Sequence, residues 1–157
     1  MVAVPSKIPE SVLVVIHSAE LEVLLLERAD RPGSWQSVTG SKETEAETGV
    51  ETCVREVAEE TGIAIGSAAV PMAALVDCNV TNAYDIYPSW RHRYADGVTR
   101  NTEHVFNLRV PRDAVVRLSP REHLRFEWLD WEAAAERCFS ATNAEAIRQL
   151  PRRVDCS

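Results

Sequence analysis

The chain has 157 residues, of which 45% are hydrophobic and 26% are charged, and its formal net charge is −7. This length fits one compact domain spanning residues 1–157, and the composition excludes an intrinsically disordered chain. The negative charge argues against a general nucleic-acid binder, and no apolar run approaches the roughly 20 residues that cross a bilayer. Residues 1–10 lack the layout of a signal peptide, so we expect a cytoplasmic protein with no membrane partner.

The first third of the chain predicts short strands and loops. Residues 11–17 and 22–26 are apolar runs joined by a short turn at 18–21, which is typical of paired strands. The proline and glycine in 29–34 indicate a loop, and 35–39 is predicted to be a short extended piece.

The next segment predicts a helix from about Glu47 to Thr61. Its apolar positions recur at helical spacing and form one stripe, made of Val50, Cys53, Val54, Val57 and Ala58. Gly62 follows at the place where a helix commonly ends in a left-handed residue.

The rest of the chain predicts further strands and two helices. Residues 69–80 are expected to be extended, and 83–94, 103–110 and 125–129 are expected to be strands, with helices at 131–137 and 143–150. In 103–110, apolar and polar residues alternate, which predicts one buried face. The sum is an α/β or α+β domain with a mixed central sheet between helices.

The four cysteines are Cys53, Cys78, Cys138 and Cys156, and no two of them are spaced as CxxC. This spacing favours neither a zinc site nor a disulfide framework, so we expect free thiols.

Three carboxylates share one face of the predicted helix. Glu56, Glu59 and Glu60 stand at positions i, i+3 and i+4, so at about 100° per residue they are neighbours. Taken alone, such a face is usually a solvated acidic surface. Carboxylates this close repel one another, however, and Mg²⁺ or Mn²⁺ with its preference for oxygen ligands would relieve that repulsion.

The surrounding residues resemble the Nudix box. Glu47, seven residues, Arg55-Glu56-Val57, one residue, Glu59-Glu60, one residue and Gly62-Ile63 follow that pattern. The chain departs from it where six residues rather than five separate Gly40 from Glu47. The resemblance implies the Nudix fold and hydrolysis of a phosphoanhydride bond, and the extra loop residue leaves the helix register unchanged.

A narrower resemblance covers about residues 7–150. The stretches WQSVTG at 35–40, RHRY at 91–94, GVTRNTE at 97–103, EHL at 122–124 and WLD at 128–130 are similar to the bacterial Nudix pyrophosphohydrolases of folate synthesis. These stretches lie outside the general box. They imply hydrolysis of dihydroneopterin triphosphate to the monophosphate and pyrophosphate.

The resemblance also implies a metal site. Its Mg²⁺ ligands would be Glu56, Glu60 and Glu122, with Glu59 as a further ligand or as the base and with Gly40 contributing its carbonyl oxygen. Glu122 could instead accept the proton of the attacking water. Mn²⁺ is a plausible substitute. Arg55 is expected to orient the neighbouring glutamates. From the residue pattern alone, Glu122 would be an ordinary surface residue before a strand.

Substrate contacts are implied for a set drawn from several elements: Lys7, Arg28, Thr39, Tyr84, Asp85, Ile86, Tyr87 and Ser140. Lysine and arginine pair with phosphate oxygens, and tyrosines stack on flat rings. Arg91 and Arg93 are expected to alternate on one strand face, which suits a triphosphate tail; acidic partners on a neighbouring strand are the alternative.

Two other functions fit parts of the pattern. The box alone suits a hydrolase of nucleoside triphosphates, including damaged dNTPs, or of ADP-ribose equally well. A non-catalytic Nudix domain that binds a metabolite is less consistent with the sequence, because such domains typically lose box glutamates and Glu56, Glu59 and Glu60 are all present.

Overall fold

The structure is a computed structural model that describes residues 6–155. Within that range, seven strands form one sheet: β1 (Glu10–His17), β2 (Glu22–Arg28), β3 (Trp35–Gln36), β4 (Val38–Ser41), β5 (Leu75–Asp85), β6 (Arg100–Arg109) and β7 (His123–Asp130). Three α-helices accompany it: α1 (Gly49–Thr61), α2 (Trp131–Arg137) and α3 (Ala141–Asp155). Residues Met72–Ala74 and Pro88–Arg93 form 3-10 helices.

The sheet is mixed, with β1 at its centre. The main strand order is β3-β2-β1-β6-β5, with β4 paired to β1 and β7 paired to β2. The β1–β6 pair is parallel and the other pairs are antiparallel. Because both faces of β1 are covered, its sequence is a continuous apolar run rather than an alternation.

Helices cover both faces of the sheet, which confirms the predicted fold class. On one face, Cys53 and Val57 of α1 belong to a core cluster that includes Val14 of β1. On the other face, Ile147 of α3 belongs to a second cluster that includes Leu13, the neighbouring residue of β1. Neighbouring residues of β1 therefore pack against helices on opposite faces of the sheet, because successive side chains of a strand point to opposite faces.

Helix α1 has well-formed ends. Thr48 is its N-cap: its hydroxyl accepts a hydrogen bond from the N–H of Glu51, whose carboxylate accepts one from Thr48 in return. At the other end Gly62 has φ of 76° and donates its N–H to the carbonyl of Ala58, as predicted. Glu47 therefore precedes the helix instead of beginning it.

The predicted apolar stripe of α1 is only partly correct. Cys53 and Val57 are fully buried, whereas Val50 is 40% exposed and Ala58 is also exposed. The buried strip is narrower than the periodicity suggests: Cys53 and Val57 belong to the core, and Val54 is only partly buried against it.

Two extended segments were predicted wrongly. Residues 69–80 contain a 3-10 helix at Met72–Ala74 before β5 begins, and the strand predicted at 83–94 ends at Asp85. The reason is Pro88, which begins a second 3-10 helix and has no N–H to donate to a neighbouring strand. Helix α3 is longer than predicted and continues past Pro151 to Asp155.

Strand β6 is buried on both faces, which contradicts the prediction of one buried face. It lies between β1 and β5, and its polar residues Glu103 and Asn107 are as buried as its apolar ones. An alternating pattern predicts that the polar residues face solvent, but here the second face of the strand is covered as well.

Two further predictions concern free cysteine thiols and membrane-spanning segments. Cys53, Cys78 and Cys138 are free thiols, as expected, while Cys156 lies outside the described residues. Among residues 6–155, none of the helices has the length and apolar character needed to span a membrane.

Candidate active site

A cleft of about 1030 Å³ opens beside α1 and collects most of the residues singled out in the sequence. Its lining includes Lys7, Arg28, Thr39, Gly40, Arg55, Glu56, Glu59, Glu60, Tyr84, Asp85, Ile86, Tyr87, Arg93, Glu122 and Ser140. These residues come from positions as distant as 7 and 140, so the fold brings the predicted site residues to one place. Arg91 does not line the cleft.

The carboxyl groups of Glu56 and Glu60 form a pair in the C-terminal half of α1. They lie one helical turn apart, their side chains share a hydrogen bond, and Glu60 is only 2% exposed. Burial, followed by the interaction with Glu56, raises the pKa of Glu60 well above its ordinary value. Burial also raises the pKa of Glu56, although Arg55 opposes the shift. Burial and the repulsion between two negative charges thus favour a state in which Glu56 and Glu60 share one proton.

Arg55 braces the loop before α1 against the helix. Its guanidinium donates to Glu47 Oε1 at 2.8 Å, to Glu56 Oε1 at 2.7 Å and to the carbonyl of Ser41 at 2.9 Å. These bonds raise the pKa of Arg55 above its already high value, so its charge is permanent. Its contacts are with protein groups that shape the site, as expected from the sequence.

The two remaining acidic residues stand at the solvent side of the cleft. Glu59 is exposed and its Oε2 lies 3.5 Å from Arg55 Nη1. Glu122 is also exposed, in the loop before β7, and its charge contributes to the raised pKa of Glu60. A loop more than 60 positions along the chain therefore faces the glutamates of α1 across the cleft, and the sequence pattern alone gave no signal of this.

His123, next to Glu122, is buried and lies with its Nε2 3.6 Å from Glu60 Oε1. Burial, followed by the nearby charge of Arg28, lowers the pKa of His123 to about 4. The imidazole is therefore neutral at neutral pH, and it does not supply a positive charge to Glu60.

Gly40 allows Glu56 to occupy its position. A Cβ atom built on Gly40 would lie 2.0 Å from Cδ of Glu56 and 2.4 Å from its Oε1. A side chain at position 40 would therefore force the Glu56 carboxylate out of its present position. The backbone of Gly40 is thus in direct contact with the acidic pair despite the longer loop that follows it.

The acidic cluster fits a divalent cation in its chemistry. Among residues 6–155, no three His, Cys, Asp or Glu side chains converge as a preformed metal cage. Glu56 and Glu60 share a hydrogen bond with each other. Yet Glu60 Oε1 is buried without a hydrogen-bond partner. An unpaired carboxylate oxygen beside two further carboxylates is the donor set that Mg²⁺ prefers, and the ion would take the place of the shared proton.

Basic side chains form one wall of the cleft. Arg28 donates two hydrogen bonds of 2.7 Å to Asp30 and lies over the ring of Trp90, 4.6 Å from its centroid. Lys7 lies nearby, and burial, followed by the charge of Arg93, lowers its pKa. Three cations held this close together favour an anionic ligand.

The segment from Tyr84 to Tyr87 lines the cleft with mixed character. Tyr84 is largely buried and accepts a hydrogen bond of 3.2 Å from Asn101, whereas Tyr87 is exposed and meets Trp90 edge to face at 5.1 Å. Ile86 is buried and the Asp85 side chain is mostly exposed.

The expectation that Arg91 and Arg93 share a strand face is wrong. Both residues belong to the 3-10 helix Pro88–Arg93, where residues two apart do not share a side. Arg93 lines the cleft, while Arg91 turns back and donates to the carbonyl of Ile86 at 3.1 Å.

Sequence reasoning missed several residues that line the cleft: Asp30, Trp90, Tyr94, Asn101, Glu103 and Asn143. Asn101 and Glu103 were part of the stretch 97–103, but were treated as markers of resemblance and not as site residues. Their spacing of two within a strand was a usable signal, because it places both on one face.

The sequence and the fold of the chain are both similar to those of known proteins. A family model described as the NUDIX domain matches residues 7–150. The dihydroneopterin triphosphate diphosphatase of Escherichia coli is 44% identical over 145 residues, covering 92% of this chain and 93% of that protein. The Haemophilus influenzae protein of the same name is 40% identical over 141 residues, covering 89% and 85%. A solved structure of the Escherichia coli dihydroneopterin triphosphate pyrophosphohydrolase matches with a TM-score of 0.82 at 43% identity, covering 92% and 95%.

Proposed function

Because this chain belongs to the Nudix family, as its box motif predicted, we propose that it hydrolyses dihydroneopterin triphosphate to dihydroneopterin monophosphate and pyrophosphate. The observation that carries the proposal is the placement of the Glu56–Glu60 carboxyl pair in the same cleft as Arg28 and Arg93. Carboxylates that would hold a divalent cation, beside arginines that pair with phosphate oxygens, suit a phosphorylated substrate. The relatives at 40–44% identity support the choice of substrate.

The proposed cofactor is Mg²⁺, with Mn²⁺ as a substitute. Glu56 and Glu60 would hold the ion, and Glu122, Glu59 and the carbonyl oxygen of Gly40 would be further ligands available in the cleft. When bound, the ion neutralises phosphate oxygens and makes the attacking water more acidic. The unpartnered, buried Glu60 Oε1 supports this assignment.

The chain's own residues bind the triphosphate and move one proton. Arg28, Lys7 and Arg93 pair with phosphate oxygens and balance the negative charge that grows in the transition state. The oxygen of water bonds to phosphorus, and the bridging P–O bond between the first and second phosphates breaks with its electron pair leaving on the departing group. A carboxylate of Glu59 or Glu122 takes the proton that water loses.

Other residues position the reacting groups. Arg55 donates hydrogen bonds to both Glu56 and the carbonyl of Ser41 and so fixes their relative position. It acts through these neighbours and not on the substrate. Tyr84 and Tyr87 border the part of the cleft that takes the ring, and Thr39 and Ser140 supply hydroxyls near it. A cytoplasmic location stays a prediction from the sequence.

The test is pyrophosphate release with Mg²⁺ from dihydroneopterin triphosphate, a panel of dNTPs and ADP-ribose. Wild type is compared with Glu56→Gln and with Glu20→Gln, an equivalent charge change in an exposed turn. We expect preference for the pterin, loss of at least about 100-fold in Glu56→Gln, and no change in Glu20→Gln. Preference for a nucleotide would overturn the substrate but keep the chemistry, and no release from any compound would overturn the activity.

A further inference from the structure

We propose that Glu103 and Asn101 form the specificity floor of the cleft and select a ring with the 2-amino-4-oxo-pyrimidine edge, the edge that pterins share with guanine. This inference rests on the proposed function, because it concerns the ring end of the same substrate. Neither residue was assigned a role by its position in the sequence, and both lie far along the chain from the acidic box.

The first support is placement. Asn101 and Glu103 are two apart on β6, so their side chains lie on the same face of the strand, and both line the cleft. Asn101 is 2% exposed and Glu103 is 4% exposed. They therefore lie at the bottom of the cleft, where a bound ring is shielded from water.

The second support is that each residue keeps one acceptor oxygen without a partner. Among the described residues, Glu103 Oε1 and Asn101 Oδ1 are buried and make no hydrogen bond. The amide nitrogen of Asn101 is already committed, since it donates to Ser11 Oγ at 2.7 Å and to the Tyr84 hydroxyl at 3.2 Å. Native proteins rarely leave such atoms unpaired, and two of them on one cleft floor indicate an absent donor.

The third support is the cost of keeping this carboxylate buried. Burial raises the pKa of Glu103, and the polar neighbours Thr142, Asn82 and Tyr84 offset only part of the shift. Because no arginine or lysine pairs with Glu103 in the described part of the chain, a ligand with N–H donors is the natural group to stabilise its charge.

The chemistry of the floor narrows the ligand. A carboxylate accepts two parallel N–H bonds best from adjacent donors, a ring N–H beside an exocyclic amine. Guanine and pterin rings carry this pair. Adenine and cytosine place a ring acceptor beside their amine, and uracil and thymine flank their ring N–H with carbonyl groups, so each of these would leave an acceptor facing an acceptor.

The sequence context agrees with this role. Asn101 and Glu103 lie in the stretch 97–103, which is outside the general box and carries the narrower resemblance. The box supplies the carboxylates for phosphate chemistry that many substrates share. Residues that distinguish one ring from another are expected elsewhere in the cleft, and the floor of β6 is such a place.

The test measures binding separately from turnover. Dissociation constants of wild type for neopterin, guanosine, inosine and adenosine are compared with those of Glu103→Gln, and Glu20→Gln serves as the matched charge control. Inosine keeps the ring N–H of guanosine but lacks the exocyclic amine. We expect wild type to bind neopterin and guanosine about 10-fold to 100-fold more tightly than inosine or adenosine, and Glu103→Gln to lose that preference.

Turnover then separates the two proposals. With dihydroneopterin triphosphate, Glu103→Gln should raise KM by about 10-fold to 100-fold and change kcat much less, because the substitution leaves the Glu56–Glu60 carboxyl pair and its Arg55 contact unaltered. Unchanged KM and unchanged ring preference in a variant that still releases pyrophosphate would overturn the floor and leave the proposed function intact. If wild type prefers the pterin and guanine rings but releases no pyrophosphate, the proposed function is overturned and the role of Glu103 and Asn101 in ring selection is kept. If Glu103→Gln does not fold, Glu103→Asp, which keeps the charge but withdraws the carboxylate by one methylene, is measured in its place with the same expectations.

Discussion

The guanidinium of Arg55 holds the carboxylate of Glu47 through two hydrogen bonds, 3.0 Å from Nε to Oε2 and 2.8 Å from Nη2 to Oε1. The bond joins the loop before α1 to the second turn of that helix. It leaves Nη1 of Arg55 free to donate to Glu56, so the position of the Glu56–Glu60 carboxyl pair depends on a residue that precedes the helix.

This contact predicts a pH-dependent contribution to stability. The hydrogen bond from Arg55 lowers the pKa of Glu47 to about 2 from an ordinary value of 4.5. Because the folded pKa is depressed, the stabilisation is fully present above about pH 4.5 and is lost as the pH falls through about 2. Glu47→Gln should therefore lower the free energy of unfolding most at neutral pH and progressively less in acid, as measured by urea unfolding across this range. Glu45→Gln, in the same loop and exposed, is the control, and a pH-independent difference between wild type and Glu47→Gln would contradict the prediction.

Gly40→Ala should damage the site more than the fold. Its new methyl group would overlap Glu56, whose Cδ lies 2.0 Å from the ideal Cβ position, so the Glu56 carboxylate must move away from β4. We expect Mg²⁺-dependent pyrophosphate release to fall by about 10-fold to 100-fold, with the required Mg²⁺ concentration rising.

Gly33→Ala provides the control for adding a methyl group to a glycine. Gly33 has φ of 89° and nothing within 4 Å of the added atom. Its cost is backbone strain, which should appear in the melting temperature and not in the Mg²⁺ requirement. Equal Mg²⁺ curves for wild type and Gly40→Ala would show that Glu56 does not need its present position.

Arg28→Lys should weaken substrate binding although it preserves the charge. Lysine does not reproduce the two-point contact with Asp30 or the flat stack on Trp90 that hold the Arg28 side chain in place. We expect KM for the triphosphate to rise by about 10-fold, with a smaller change in kcat, in steady-state assays. Arg109→Lys, at an exposed position of β6, should leave both constants unchanged; a KM for Arg28→Lys equal to that of wild type would exclude a phosphate contact by Arg28.

Two identical substitutions on α1 should differ in their effect on stability. Val57 is fully buried against the sheet and Val50 is 40% exposed. Val57→Ala removes two buried methyl groups and should lower the free energy of unfolding by about 1–3 kcal/mol, whereas Val50→Ala should change it by less than about 0.5 kcal/mol. Chemical unfolding of both variants checks this, and equal losses would mean that the two flanks of α1 are packed alike.

Local signals in the sequence predicted α1 and its acidic face well. Gly62 ends the helix because glycine adopts a positive φ without strain, and spacing of three and four brings Glu56, Glu59 and Glu60 to one side. These features depend on neighbours within one or two helical turns. The Nudix family followed from the same residues, because the box is itself a local pattern.

Errors arose where burial depends on distant partners. The alternation of residues 103–110 predicts that Glu103 and Asn107 face solvent, but β1 and β5 pair with β6 along its two edges and its second face is covered as well. Arg91 and Arg93 were treated alike, yet Pro88 turns their segment into a 3-10 helix and only Arg93 reaches the cleft.

The sequence by itself determined the helix, its carboxylates and the family, since each is encoded by residues close together along the chain. Only the tertiary structure decided that Glu60 is buried while Glu59 is exposed, and it placed the charge of Glu122 near Glu60. It also decided that a carboxylate and an amide of β6 close the bottom of the same cleft. The physical reason is that periodicity tells which side chains share a face, whereas burial and unpaired hydrogen-bonding atoms depend on what the rest of the chain places over that face.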